Sequence, residues 1–272
     1  MIMRAIFTKL LLTALLAMPV AALAASTELT WYGHAAFKLT TPSGKVLMID
    51  PWITNPSNKN GKDDLTKVDK ADLILITHGH NDHIGDSVAI AQKTGAKLVA
   101  TFDLGKALAQ YGGFPAEHTG MGTMGNFGGE LTLLDGEVKI AFIPAVHSST
   151  VAEASGAKLV HDGGHPGGFL ISVKNGPTIY HTGDTDVFSD MALIKQFRKV
   201  DVMLACIGGH FTMGPERAAV AVKLVNPGMV IPMHFGTYPI LSGTPQALEK
   251  ALQTEDSKAK VKTMSIGESI KL

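Results

Sequence analysis

Asp72-Leu73-Ile74-Leu75-Ile76-Thr77-His78-Gly79-His80-Asn81-Asp82-His83 joins an unbroken aliphatic run to three histidines and a carboxylate within six positions. The run is short and apolar throughout, which predicts a strand buried on both faces. Residues Ile84 to Lys93 then carry helical spacing, with Gly95 as the residue that ends the helix in a left-handed turn. The local order is therefore strand, polar loop, helix. In an extended segment His78 and His80 lie two apart and can face the same side, whereas Asp82 and His83 fall at the entry to the helix. Two divergent pairs of donors suit two metal ions better than one. Neutral imidazole nitrogens and a carboxylate oxygen form a set that Zn²⁺ accepts. Solvated histidines crowded this closely would repel when protonated and gain nothing by exposure, which argues against a plain surface run.

Outward from this stretch, strand-length apolar segments alternate with helical ones. Leu29 to Leu39 and Lys45 to Ile49 read as two strands around Thr41-Pro42-Ser43-Gly44. Further strands are expected at Ala96 to Ala100, Leu131 to Leu134, Val138 to Ile143, Gly168 to Val173, Thr178 to His181, Val202 to Ile207 and Met229 to Ile231. Asp135-Gly136 marks a hairpin turn. Helices are expected at Leu104 to Tyr111, Met191 to Arg198, Pro215 to Leu224 and Pro245 to Gln253. Residues 112 to 129 hold seven glycines and read as loop. Antiparallel pairs followed by strands mixed with helices predict a layered α/β or α+β architecture in one domain, residues 25–272.

With 272 residues and 45% apolar side chains the chain can bury a sizeable core. Residues 1–24 read as a signal peptide: Arg4 and Lys9, an apolar stretch from Leu10 to Ala17, Pro19, and Ala22-Leu23-Ala24 before the cut. The apolar stretch is shorter than the ~20 residues that span a bilayer, so no membrane anchor is expected after cleavage, and a periplasmic or secreted location follows. Cleavage removes two of 24 basic residues and none of the 24 acidic ones, leaving a net charge of −2. Arg198 and Arg217 are then the only arginines, which argues against nucleic acid as a partner and for a small-molecule substrate. Cys206, the single cysteine, lies in an apolar run and reads as a small core residue.

The His78, His80, Asp82, His83 pattern resembles the HxHxDH signature of the metallo-β-lactamase superfamily. Matching places for its later ligands are His147 in Pro144-Ala145-Val146-His147, Asp184 in Thr182-Gly183-Asp184, and His234 in Pro232-Met233-His234. Trp31-Tyr32-Gly33-His34-Ala35-Ala36-Phe37 and Gly208-Gly209-His210-Phe211-Thr212-Met213-Gly214-Pro215 look like the branch of metal-dependent hydrolases related to bacterial ascorbate-phosphate lactonases. The resemblance covers nearly all of residues 28 to 272. It implies a four-layer αββα sandwich with the site at the edge between two sheets. It also implies that His78, His80 and His147 hold one ion and Asp82, His83 and His234 the other, with Asp184 between. Zn²⁺ is expected, with Mn²⁺ or Fe also suited to these donors. Two ions about 3.5–4 Å apart can share one water and lower its pKa toward ~7, giving a bridging hydroxide. Asp82 is expected to orient that nucleophile or take its proton. A class of true β-lactamases has cysteine where Asp184 stands, so β-lactams are not the expected substrate.

The expected activity is hydrolysis of a small ester, lactone or related substrate. Two alternatives carry different chemistry: an iron-dependent oxidoreductase of the persulfide dioxygenase type, and a metal-binding protein without catalysis. The scarcity of arginine weighs against a nuclease. His210 is a candidate catalytic contact to substrate or oxyanion, or else a loop-stabilising residue. His34 and His181 are expected to support the ligands or the core, and Asp50 to brace the metal loop. His161 and His165 fall in a glycine-rich stretch from Ser148 to Gly168 that reads as a flexible lid with solvated histidines, and His118 reads as exposed.

Overall fold

Successive side chains of a strand point to opposite faces, and β4 (Leu73–Leu75) with its flanks divides its aliphatic residues between two cores. Leu73 and Leu75 join one buried cluster and Ile74 and Ile76 another. This is the signature of a sheet covered on both sides. The computed structural model describes residues 26–272; the leader expectation on residues 1–24 lies outside them.

The first half contributes β1 (Glu28–Trp31), β2 (Phe37–Thr40), β3 (Val46–Ile49), α1 (Gly61–Thr66), β4, α2 (Asn81–Ile84), α3 (Ser87–Thr94), β5 (Lys97–Thr101), α4 (Phe102–Gln110) and β6 (Met124–Gly125). The second half contributes β7 (Glu130–Leu133), β8 (Val138–Pro144), β9 (Thr150–Ala152), β10 (Val160–Asp162), β11 (Gly167–Val173), β12 (Thr178–His181), α5 (Met191–Phe197), β13 (Val202–Cys206), α6 (Pro215–Val225), β14 (Met229–Met233), α7 (Pro245–Thr254), β15 (Lys260–Val261) and β16 (Ser269–Lys271). Two seven-stranded sheets result, ordered β16-β1-β2-β3-β4-β5-β6 and β15-β14-β13-β12-β11-β8-β7, with β9 and β10 as a separate ribbon. Each sheet passes from antiparallel to parallel pairing, at β3 in the first and at β12 in the second.

Leu29, Phe37, Leu47 and Leu73 of the first sheet share one cluster with Ile140, Phe169 and Ile179 of the second. Met191, Val222 and Leu248 bring α5, α6 and α7 into that cluster, while Ile90 of α3 and Leu104 of α4 pack with Met48, Ile74 and Leu98 on the other face of the first sheet. The layers are thus helix, sheet, sheet, helix, the αββα sandwich expected. Emptying a site such as Leu75, which is fully buried, costs about 2–5 kcal/mol for Leu→Ala.

Several boundaries differ from the expectation for identifiable reasons. Leu29 to Leu39 is not one strand. Gly33 and His34 adopt φ of 95° and 51°, and Tyr32 N–H bonds Ala36 O at 2.8 Å, so the chain reverses and β1 pairs with β2. The helix expected from Ile84 breaks at Gly85 into α2 and α3, because Gly85 presses on Trp52: a Cβ there would fall within about 2.4 Å of the Trp52 Cα. Gly95 does end α3 in the left-handed conformation. Sequence reading missed α1, β9, β10, β15 and β16, and a short 3₁₀ turn (Ala116–His118) and β6 interrupt the 112–129 loop.

Candidate metal centre

The residues singled out lie at strand ends. His78, His80, Asp82 and His83 follow β4, His147 follows β8, Asp184 follows β12 and His234 follows β14. Ligand sites in open α/β sheets form outside the carboxyl ends of strands, where the backbone leaves the ladder and side chains from several loops converge.

Asp50 organises the first loop. This fully buried carboxylate accepts from Thr77 N–H at 2.8 Å, from the Thr77 hydroxyl at 2.6 Å and from His83 Nδ1 at 2.7 Å. The hydroxyl has one proton and gives it to Asp50, so it must accept from His78 Nδ1, 3.1 Å away. Both rings are thereby fixed with the proton on Nδ1 and Nε2 turned inward. Asp50 therefore braces the loop and sets which nitrogen turns inward, on His83 directly and on His78 through Thr77.

His78 Nε2 and His80 Nδ1 are 2.9 Å apart, and His147 Nε2 lies 3.3 Å from the same His80 nitrogen. Asp82, His83 and His234 gather beside them, joined by His34. Asp184 touches both groups. Its Oδ1 is 3.3 Å from His83 Nε2, and its Oδ2 is 3.0 Å from His234 Nε2, 3.6 Å from His147 Nε2 and 4.0 Å from His78 Nε2. All seven residues named from the sequence are thus brought together.

His83 Nε2, His234 Nε2 and Asp184 Oδ1 are buried without an aligned hydrogen-bond partner. Buried polar groups left this way are costly and mark a binding role. Convergent unpartnered nitrogens and a carboxylate oxygen fit a divalent cation. Electrostatics agree. Burial opposes charge on His83 and His234, but the carboxylates of Asp184 and its neighbours outweigh it, raising His83 well above the usual histidine value and His234 to about 9. Burial holds His78, His80 and His147 below the usual value, hence neutral, the ligating form. Asp82 and Asp184 resist burial through their histidine neighbours and stay ionised, with pKa values well below the usual carboxylate range.

The other histidines separate by their contacts. His34 Nε2 is 3.0 Å from Asp82 Oδ2, a contact that only the β1–β2 turn creates. Burial lowers its pKa to about 4. His181 donates from Nε2 to Ala35 O at 3.1 Å and accepts Gly183 N–H on Nδ1, so both ring nitrogens serve the scaffold. His210 is exposed, in a left-handed backbone conformation with φ of 56°, and its ring stands edge-on to Phe211; it belongs to none of the metal-ligand groupings. His161 is not a solvated loop residue: it pairs with Glu153 at 2.9 Å and stacks on Tyr111 at 3.5 Å. His165 is exposed, and His118 is half-buried rather than exposed. Cys206 is buried, its pKa pushed up to about 11 by burial and by Asp184, and its thiol points at Thr185 O.

The stretch expected as a flexible lid instead carries the β9–β10 ribbon, and its base is fastened to the metal loop. Gly79 N–H donates to Ser149 Oγ at 3.1 Å, and a Cβ at position 79 would come within about 2.7 Å of Thr150 O. Gly79 is required by this close approach, a contact between residues about seventy positions apart.

A family pattern described as the Beta-lactamase superfamily domain matches residues 28–234. A UPF0173 metal-dependent hydrolase of Thermodesulfovibrio yellowstonii is 59% identical over 255 residues, 94% of this chain and 95% of that protein. One from Anaeromyxobacter sp. strain K is 52% identical over 246 residues, covering 90% and 86%. Among solved structures, Igni18, a metallo hydrolase from the archaeon Ignicoccus hospitalis, superposes with a TM-score of 0.78 at 37% identity, covering 91% of this chain and 98% of that one.

Proposed function

The chain belongs to the beta-lactamase superfamily as a metal-dependent hydrolase, and from that premise we propose that it is an exported enzyme that uses two divalent ions, Zn²⁺ foremost, to cleave a small carboxylic ester or lactone. The observation that carries this reading is the convergence of buried, unpartnered His83 Nε2, His234 Nε2 and Asp184 Oδ1 between two groups of histidines. His78, His80 and His147 would hold one ion and Asp82, His83 and His234 the other, with Asp184 reaching both. Bound together, two such ions supply Lewis acidity and a water acidic enough to act near neutral pH.

The chain's own residues set the direction of approach. Asp184 is closed off, with a side chain 3% exposed, whereas Asp82 is 29% exposed. Asp82 is therefore the carboxylate able to meet an incoming nucleophile and take its proton. His80 and His147 are likewise only half-buried. Both arginines of the described residues are engaged at the surface, Arg198 with Glu130 and Arg217 with Asp186, so neither offers a free fork for a polyanionic substrate. This favours a carbonyl centre over nucleic acid. Export rests on the leader read in residues 1–24, with cleavage expected after Ala24.

The test is a panel of lactones, carboxylic esters, thioesters, phosphodiesters and β-lactams offered to the metal-loaded protein lacking residues 1–24. Turnover of lactones or esters, abolished by Asp184→Ala and by His147→Ala with the fold retained, is the expected result. Turnover undiminished in both variants, or oxygen consumption by iron-loaded protein with no hydrolysis, refutes the reading.

A further inference from the structure

Asp82 makes a single side-chain hydrogen bond to a donor ring among the described residues, and that ring is His34, which stands outside the seven-residue set. His34 is almost fully buried and sits at φ of 51° after Gly33 at 95°. Its carbonyl accepts from His234 N–H at 3.0 Å and from Trp31 Nε1 at 3.1 Å. A non-glycine residue rarely occupies this backbone region and does so where surrounding structure over-determines it, commonly at functional sites. The turn is thus tied to the loop that bears His234, and the two imidazole centroids are 3.9 Å apart.

The far ring nitrogen, Nδ1, lies 2.8 Å from Thr237 Oγ1. A carboxylate only accepts, so the proton between His34 and Asp82 must sit on Nε2. In the neutral ring Nδ1 is then an acceptor, and the Thr237 hydroxyl donates to it. Trp52 meets His34 edge-on at 5.4 Å and Tyr238 does so at 6.5 Å, so two aromatic rings pack against the imidazole. We infer that His34 is a positioning residue for Asp82, with Thr237 fixing the His34 tautomer so that Nε2–H holds Oδ2, the oxygen that His234 Nε2 also approaches at 3.6 Å, and thereby fixes the carboxylate against the metal centre. This rests on the role given to Asp82 above.

Without that bond the partly exposed Asp82 carboxylate is free to rotate toward water, and both its contribution to holding an ion and its orientation toward the nucleophile suffer. Groups that orient metal ligands from behind typically matter 10–100-fold in metal affinity or activity. The ring could instead be a further ligand, because Nε2 also lies within ligand distance of Asp82, His83 and His234. In that case Nδ1–H would donate to Thr237 and an ion would lie between Nε2 and Asp82.

Titration with Zn²⁺ and Co²⁺ against a chelator, read with the cobalt visible spectrum and the steady-state kinetics, separates these. In His34→Ala the expected result is about two equivalents still bound, the weaker one loosened about 10–100-fold, and kcat lowered about as much with KM changed less than about threefold. His34→Gln, whose amide can donate to Asp82, recovers affinity and kcat to within about threefold, and Thr237→Val loses part of what Thr237→Ser keeps. His34→Ala indistinguishable from the parent in affinity and kcat overturns the inference. So does failure of His34→Gln to recover, and so does loss of one equivalent with a changed cobalt spectrum in both His34 variants, which would make His34 a ligand. If His34→Ala does not fold, the Gln and Val variants carry the same test. A parent protein that turns over no ester or lactone defeats the proposed function, while the metal titrations still decide the role of His34.

Discussion

Replacing Asp50 by Asn should disable the metal centre from a position that touches no ion. Asp50 receives three donors on two oxygens, Thr77 N–H on Oδ1 and both the Thr77 hydroxyl and His83 Nδ1 on Oδ2. An amide has one oxygen. If that oxygen faces Thr77 N–H, the amide NH₂ faces the hydroxyl and the His83 ring. The hydroxyl must then accept, its proton turns to His78 Nδ1, and both His78 and His83 are driven to carry their protons on Nε2, where metal would bind. If the amide turns over, a buried backbone N–H loses its acceptor, at about 1–3 kcal/mol, and both ligand rings still lose the carboxylate's charge. The expected outcome is a loss of about 1–3 kcal/mol in stability and of 10–100-fold in metal affinity, the latter equivalent to about 1.4–2.7 kcal/mol. Chelator competition with Zn²⁺ measures the second and denaturant unfolding of metal-free protein the first. Affinity within about threefold of the parent, with unfolding unchanged, would show that Asp50 does not set the histidine tautomers.

Metal uptake should strengthen steadily as pH rises. His83 and His234 have raised pKa values in the folded, metal-free chain, His234 near 9, so their protons are held until displaced; a plot of log affinity against pH should climb from about pH 6.5 to 9 with a slope of about one per proton displaced, and a flat plot contradicts this. The same shift means that metal-free protein draws stability from His234 below pH 6.5 and loses it as pH passes about 9, whereas His34, lowered to about 4, contributes stability above pH 6.5 that is lost as pH falls through about 4. Gly79→Ala should cost about 1–3 kcal/mol and loosen metal binding, because the added Cβ meets the Thr150 backbone rather than a mobile side-chain end; an unchanged melting curve would remove the ribbon as the anchor of this loop. His210→Ala should leave metal stoichiometry and stability intact, since the ring is exposed and belongs to none of the ligand groupings, while kcat/KM falls about tenfold if it meets the substrate as the sequence leads us to expect; full activity would assign it to the loop alone.

How far the sequence reached depended on the range of the interactions involved. The aliphatic run through Leu75, the Asp135-Gly136 hairpin, Gly95 at the end of α3 and the helices α5, α6 and α7 all arise from local periodicity and turn chemistry, so they were legible within a few residues. The short strands β15 and β16 have no such pattern of their own. They exist because a sheet edge pairs with them, as β1 does with Ser269 to Lys271. The split at Gly85 was hidden for the same reason, since its cause is Trp52, far back in the chain. The ribbon at 150–162 looked like a mobile lid because glycine-rich, polar sequence is compatible with motion until its partner surface is known.

Composition, spacing and motif, with the family resemblance the motif carries, determined that this chain builds helix-covered sheets and named seven His and Asp side chains as candidate metal ligands, because donor chemistry and hydrophobic period are properties of residues and their near neighbours. Tertiary structure decided which nitrogen of His78 and of His83 faces inward, that Asp50 and Thr77 impose it, and that His34 closes on Asp82 across 48 positions. Hydrogen-bond direction depends on which groups meet in space, and the groups that meet here are brought together only when the two sheets pack and their strand ends form one edge.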